Sequence, residues 1–140
     1  MSKLFQRLKD ASRSGVYRAS DGAPLMEVAA ENGLSVARIP LDGKGDKESL
    51  VDSISRALDF PQWFGGNWDA LEDCLSDLSW RHASAHILLF ERTTLSDDMG
   101  ILIDVLSSVA EQWAARGTPF FAVFADPAGA LPLAELFRPR

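Results

Sequence analysis

One cysteine, Cys74, stands in a chain of 140 residues. An internal disulfide framework is therefore excluded, and a lone thiol suits a reducing compartment. Long hydrophobic runs are missing as well. The longest strongly apolar stretch, Pro119 to Ala125, is far too short to span a bilayer. Met1-Ser2-Lys3 leads into Leu4-Phe5 and then Gln6-Arg7, so the apolar core of a signal peptide does not develop. Together these absences predict a cytoplasmic protein. Histidine is scarce. His82 and His86 lie four apart in a loop running into a strand, with no third ligand suggested nearby, which argues against a metal site. Internal repeats, low-complexity tracts and domain linkers are lacking too.

What the chain has is hydrophobicity and acid. Hydrophobic residues make up 46% of it, and a single domain of this length buries about two thirds of its unfolded surface. The net charge is −6. The first 18 residues run the other way, setting Lys3, Arg7, Lys9, Arg13 and Arg18 against Asp10 alone. The remainder is more acidic than the total suggests. An acidic body argues against nucleic-acid binding, which depends on neutralising phosphates with Lys and Arg. It argues for a basic partner, because complementary fields accelerate encounter and select partners.

Along the chain, strand and helix patterns alternate. Lys3 to Ser12 puts Leu4, Phe5, Leu8 and Ala11 on one face, an amphipathic helix expected to dock on its own domain rather than on a membrane surface. Val16–Ala19 reads as a short strand, Pro24–Asn32 as a helix stopped by Gly33, and Val36–Leu41 as a second strand. Asp42-Gly43-Lys44-Gly45-Asp46 lacks the spacing of a nucleotide-binding glycine loop and reads as a connector. Asp46 can cap the helix expected over Lys47–Leu58. Ile87–Glu91 is a buried-type strand. Ser96 can cap a long helix, Asp97–Arg116, whose Met99, Leu102, Ile103, Leu106, Val109 and Trp113 face inward and which Gly117 ends. Phe120–Phe124 is a last strand, and Leu131–Phe137 a short appendage. This order predicts an α/β fold with one small, mainly parallel sheet of three to four strands packed with helices.

Leu58 to Leu78 organises the rest. It turns through Pro61 and the pair Gly65-Gly66, and a helix begins near Asn67, a favoured N-cap. Trp68, Leu71, Cys74, Leu75 and Leu78 share one side of that helix at helical spacing. Asp69, Asp73 and Asp77 recur every four residues on the other side, flanked by Glu72. No Lys or Arg occurs between Arg56 and Arg81. Like charges four residues apart cost a helix a few tenths of a kcal/mol, roughly, so the stripe is a slight burden on the free fold. Two acids on one exposed helical face form a ridge, not the cleft that glycoside cleavage needs. Cys74 shares the core side with Leu71 and Leu78, where a free cysteine acts as a small hydrophobe rather than a nucleophile. No active site emerges, and the protein is not expected to be an enzyme.

Pro61, Trp63-Phe64, Gly65, Asn67, Asp69-Ala70-Leu71 and Asp73-Cys74-Leu75 resemble the signature of the barstar family of ribonuclease inhibitors. The likeness covers roughly Ser35 to Ala125. It implies a barstar-like three-layer arrangement with a parallel sheet between helices over residues 35–125; residues 1–34, an N-terminal extension that departs from the family pattern, are expected to pack on this domain, and 126–140 to form a tail. It further implies an inhibitor, such as an immunity protein, that plugs the basic active site of a ribonuclease or ribonuclease-like toxin. The contacts would come from Trp63, Gly65, Gly66, Asn67, Asp69, Glu72, Asp73 and Gln112, with Phe64 closing the core. Two positions depart from the family pattern. Glu72 stands where the family has a tryptophan between the two aspartates. Gln112 stands at the acidic contact of the last long helix, with Glu111 beside it. No catalytic residue, metal or cofactor is implied, and the free protein is expected to be a monomer without direct nucleic-acid or membrane binding. The other reading is a diverged module using the same acidic helix on a basic partner that is not a nuclease.

Overall fold

The computed structural model describes residues 3–41, 45–61, 65–93 and 95–137. The connector Asp42-Gly43-Lys44, together with Trp63 and Phe64, lies outside them. The described elements are α1 (Lys3–Leu8), a 3-10 turn (Ala11–Arg13), β1 (Gly15–Ala19), α2 (Ala23–Glu31), β2 (Val36–Pro40), α3 (Lys47–Ala57), α4 (Trp68–Asp77), β3 (His86–Glu91), α5 (Asp97–Ala115), β4 (Phe120–Ala125) and β5 (Ala134–Glu135).

The strands form one sheet in the order β2-β3-β4-β1-β5, and every neighbouring pair is parallel. β3 and β4 lie side by side, with Ile87 opposite Phe121 and Leu89 opposite Val123. Their continuous apolar sequences follow from burial on both faces. On one face Ile39, Leu88, Phe90, Ala122 and Phe124 pack under Leu50 and Ile54 of α3, Leu71 and Leu75 of α4, and Leu102, Leu106 and Val109 of α5. On the other, Ile87, Leu89, Phe121 and Val123 meet Leu8 of α1, Leu25 of α2 and Leu136. The result is three layers, helices on either side of a parallel sheet. α2 approaches the sheet so closely at its start that a Cβ on Gly22 would lie 2.7 Å from Leu89 Cδ2.

Three helix starts follow the sequence. Asp46 Oδ1 accepts from Ser49 N at 3.2 Å, Asn67 Oδ1 from Ala70 N at 2.7 Å, and Ser96 Oγ from Met99 N at 3.1 Å. Each satisfies one of the orphan N–H groups of a first turn.

Two expectations need correction. The first helix stops at Leu8 instead of reaching Ser12, because the Asp10 carboxylate accepts from both the backbone N and the hydroxyl of Ser12 and nucleates a separate 3-10 turn. The sheet has five strands rather than three or four. The appendage contributes β5, where Ala134 lies opposite Tyr17 and Glu135 opposite Arg18. Buried Asp126 steers the chain there, with its Oδ2 accepting from Leu131 N at 2.8 Å. The Arg18 guanidinium then holds Leu133 O at 2.8 Å.

Candidate protein-binding face

The face begins where α3 ends. Leu58 is fully buried, and its carbonyl accepts from Trp80 Nε1 at 2.8 Å. Phe60 meets the Trp80 ring edge-on at 5.9 Å. The chain leaving α3 is thus pinned from behind. Gly65 and Gly66 follow, both exposed. Gly66 has φ +74°, a conformation that a side chain strains, and a Cβ there would touch nothing within 4 Å. The backbone at this point is open to an approaching surface. Asn67 spends its side-chain oxygen on the cap of α4.

α4 is two-sided, as its spacing predicts. Leu71, Cys74 and Leu75 are buried, and Trp68 packs half-buried against the same core. Asp69, Asp73 and Asp77 are exposed. Asp77 accepts from Ser79 Oγ at 3.1 Å. Neither Asp69 nor Asp73 makes a hydrogen bond or ion pair with any described residue. Burial pushes the Cys74 thiol above its ordinary pKa, and Asp77 and Asp73 push it the same way. That is the opposite of what a thiolate nucleophile requires.

Glu72 behaves differently from its neighbours. It is half-buried in the seam between α4 and α5, where its Oε2 accepts from Gln112 Nε2 at 3.2 Å and from Ser108 Oγ at 3.4 Å. Further along the seam, Trp113 Nε1 donates to Leu75 O at 2.8 Å, and Arg116 donates to Ser76 O at 2.6 Å while lying 4.3 Å over the Trp113 ring. One helix face of α5 therefore ties α4 down along its second half. Ser108, Trp113 and Arg116 join the site through this seam and not through the acidic motif. Their signal was the four-residue spacing of Ser108, Gln112 and Arg116, which shows a shared face but not what that face touches.

The candidate contacts thus fall into groups. Gly65, Gly66, Asn67, Asp69 and Asp73 lie together at the exposed start and outer side of α4. Glu72 and Gln112 meet at its flank. Trp63 is outside the described residues. Among the described residues, no group of three or more His, Cys, Asp or Glu side chains could hold a metal ion, and no helix is long and apolar enough to cross a membrane.

No curated protein matches the chain in sequence. The family model described as Barstar (barnase inhibitor) matches residues 34–125, from just before β2 to the end of β4. That span is well over half of the chain and contains α3, α4, α5 and the whole candidate face. The chain belongs to the Barstar (barnase inhibitor) family.

Proposed function

We propose that the protein inhibits a ribonuclease or a ribonuclease-like toxin by seating the start of α4 in its basic active site. The observation that supports this most is the pair Asp69 and Asp73, exposed and without a partner among the described residues, on a helix bolted down from behind. A nuclease site must hold a phosphodiester with Lys, Arg and His. Carboxylates presented on a rigid helix can take those phosphate positions through charge-assisted hydrogen bonds. Rigidity matters because a surface that is already ordered loses less entropy on association. Family membership points the same way, and so does the acidic body of the chain. The protein acts by occupying a site, not by chemistry of its own.

The contact between Glu72 and Gln112 favours a second reading, a basic partner that is not a nuclease. At both positions the chain departs from the family pattern, so the flank of the helix presents a different surface. One experiment separates the two readings. The protein that co-purifies with the tagged chain is isolated and assayed for RNA cleavage, with and without the inhibitor. Stoichiometric loss of cleavage, relieved by Asp73→Ala, is the expected result. A tightly bound partner with no cleavage activity would favour the second reading. Inhibition indifferent to both Asp69→Ala and Asp73→Ala would move the binding face elsewhere.

A further inference from the structure

At the opposite end of α4 from Gly66, under the start of β3, lies a recess of about 250 Å³. Leu78, Ala85 and Leu88 supply apolar wall, and the polar side chains are Ser35, Arg81, His82 and His86. Every one of those four can donate a hydrogen bond, and no Asp or Glu is among the described lining residues. In a chain with 20 acidic and 14 basic residues, that segregation is unusual.

His86 is the central group. It is 6% exposed and its ring lies against Trp113 at 4.5 Å and Phe120 at 6.4 Å, yet the imidazole has no hydrogen-bond partner among the described residues. Among the described residues the one side-chain polar atom sealed without a partner is Ser76 Oγ, so the His86 nitrogens keep access to the recess and can meet an occupant there. Arg81 is half-buried, and its guanidinium likewise has no described hydrogen-bond or ion-pair partner. Arg116 is different: it is committed to Ser76 O and to the Trp113 ring. The C-terminal end of α4 would ordinarily repel an anion. Here the carbonyls of Cys74, Leu75, Ser76 and Leu78 are already engaged by Leu78 N, Trp113 Nε1, Arg116 and Arg81 N.

The geometry points to a small-oxyanion site in which Arg81, His82 and His86 hold a phosphate group, free or as the phosphomonoester of a small nucleotide. The recess has room for several waters, and so for a phosphate with part of its substituent. A guanidinium matches two phosphate oxygens at once, and the imidazoles supply single N–H donors from other directions. Burial, Arg81 and Arg116 all hold the His86 pKa below its ordinary value, and no carboxylate offsets them. A bound dianion would supply the missing counter-charge and move that pKa upward. The site is independent of the inhibitory reading, because α4, at about 1.5 Å per residue, separates it by some 15 Å from the glycine turn.

The test is histidine-ring NMR on the full chain, titrated at constant ionic strength with inorganic phosphate, with adenosine monophosphate and with chloride. Saturable shifts of the His86 ring signals, and a higher His86 titration midpoint in phosphate than in chloride, are expected. Arg81→Gln should weaken the saturable response by about tenfold or more, as loss of a charge-assisted contact predicts. Its thermal unfolding, measured in parallel, shows that the variant is folded, and Arg81→Lys should restore part of the response. Tighter binding of the nucleotide identifies a phosphomonoester, and equal binding identifies free phosphate. Shifts confined to exposed His82, or a His86 response unchanged in both Arg81 variants, would overturn the assignment.

Discussion

Gln112 donates to Glu72 across the seam between α4 and α5, Nε2 to Oε2 at 3.2 Å. Glu72 and Gln112, the two positions set apart from the motif that the sequence resembles, are therefore in contact in the folded chain. The acid and the amide satisfy each other. Their pairing is also reinforced by Ser108.

This contact should appear as coupling. Glu72→Ala and Gln112→Ala are each expected to cost about 0.5–1.5 kcal/mol of stability, as for half-buried hydrogen bonds. The double variant should cost less than the sum by about 0.5–1 kcal/mol. Urea unfolding of the four proteins measures the cycle. Strict additivity would mean that the contact does no energetic work in the folded chain.

Asp69 and Asp73 should behave in the opposite way. Neither has a partner among the described residues, so Asp69→Ala and Asp73→Ala should leave the unfolding temperature unchanged or slightly raised by relief of like-charge repulsion. Binding to the partner should weaken by about 2–5 kcal/mol for Asp73→Ala, the cost of leaving a buried charge unpaired across an interface. Asp69→Ala should lose as much or somewhat less. Asp77→Ala should act mainly on association rate and its salt dependence. Paired measurements of unfolding and binding check this, and a large loss of folding stability for Asp73→Ala would identify it as a structural group.

Cys74 is a core residue. Cys74→Ala is expected to cost about 1 kcal/mol or somewhat more and to leave partner binding intact. The native thiol should react with a labelling reagent only as fast as the protein opens, because burial and two nearby carboxylates keep it protonated. Rapid labelling of the folded protein would contradict this.

His86 makes stability depend on pH. Its folded pKa is lowered by burial first and then by Arg81 and Arg116. The unfolded chain therefore takes up the proton more readily than the folded one. The stabilising contribution is complete above the unfolded value, near 6.5, and fades as pH falls from there through the depressed folded value. His86→Phe should flatten this part of the stability profile below about pH 6.5. A profile identical in shape to that of the unmodified protein would show that other groups control it.

Much of this was legible because it is local. The caps at Asp46, Asn67 and Ser96 are written in single residues, and the burial of β3 and β4 is written in Ile87–Phe90 and Phe120–Phe124. The exposure of Asp69 and Asp73 follows from helical spacing alone. What escaped was set by distant partners. Ala134-Glu135 has no alternation to mark it as a strand, and it becomes one only because β1 offers an open edge. Glu72 reads as one more member of an acidic stripe until α5 supplies Ser108 and Gln112. The early end of α1 depended on a choice Asp10 makes between continuing a helix and bonding Ser12.

The placement of β1 between β4 and β5 also dictates an order of assembly. Gly15 pairs with Phe121, and Ser14 Oγ accepts from Phe120 N across 106 residues of sequence. Closing a loop of that length must precede any reward from the contact, which slows folding. During synthesis, β2 can pair with β3 as soon as β3 has emerged, whereas β1 must wait for β4, with Leu8 and Leu25 uncovered. β5 in turn has nothing to pair with until β1 has docked. β1 precedes β2 and β3 in the chain yet reaches its place after they can pair, and until it does the growing chain exposes one whole face of its sheet.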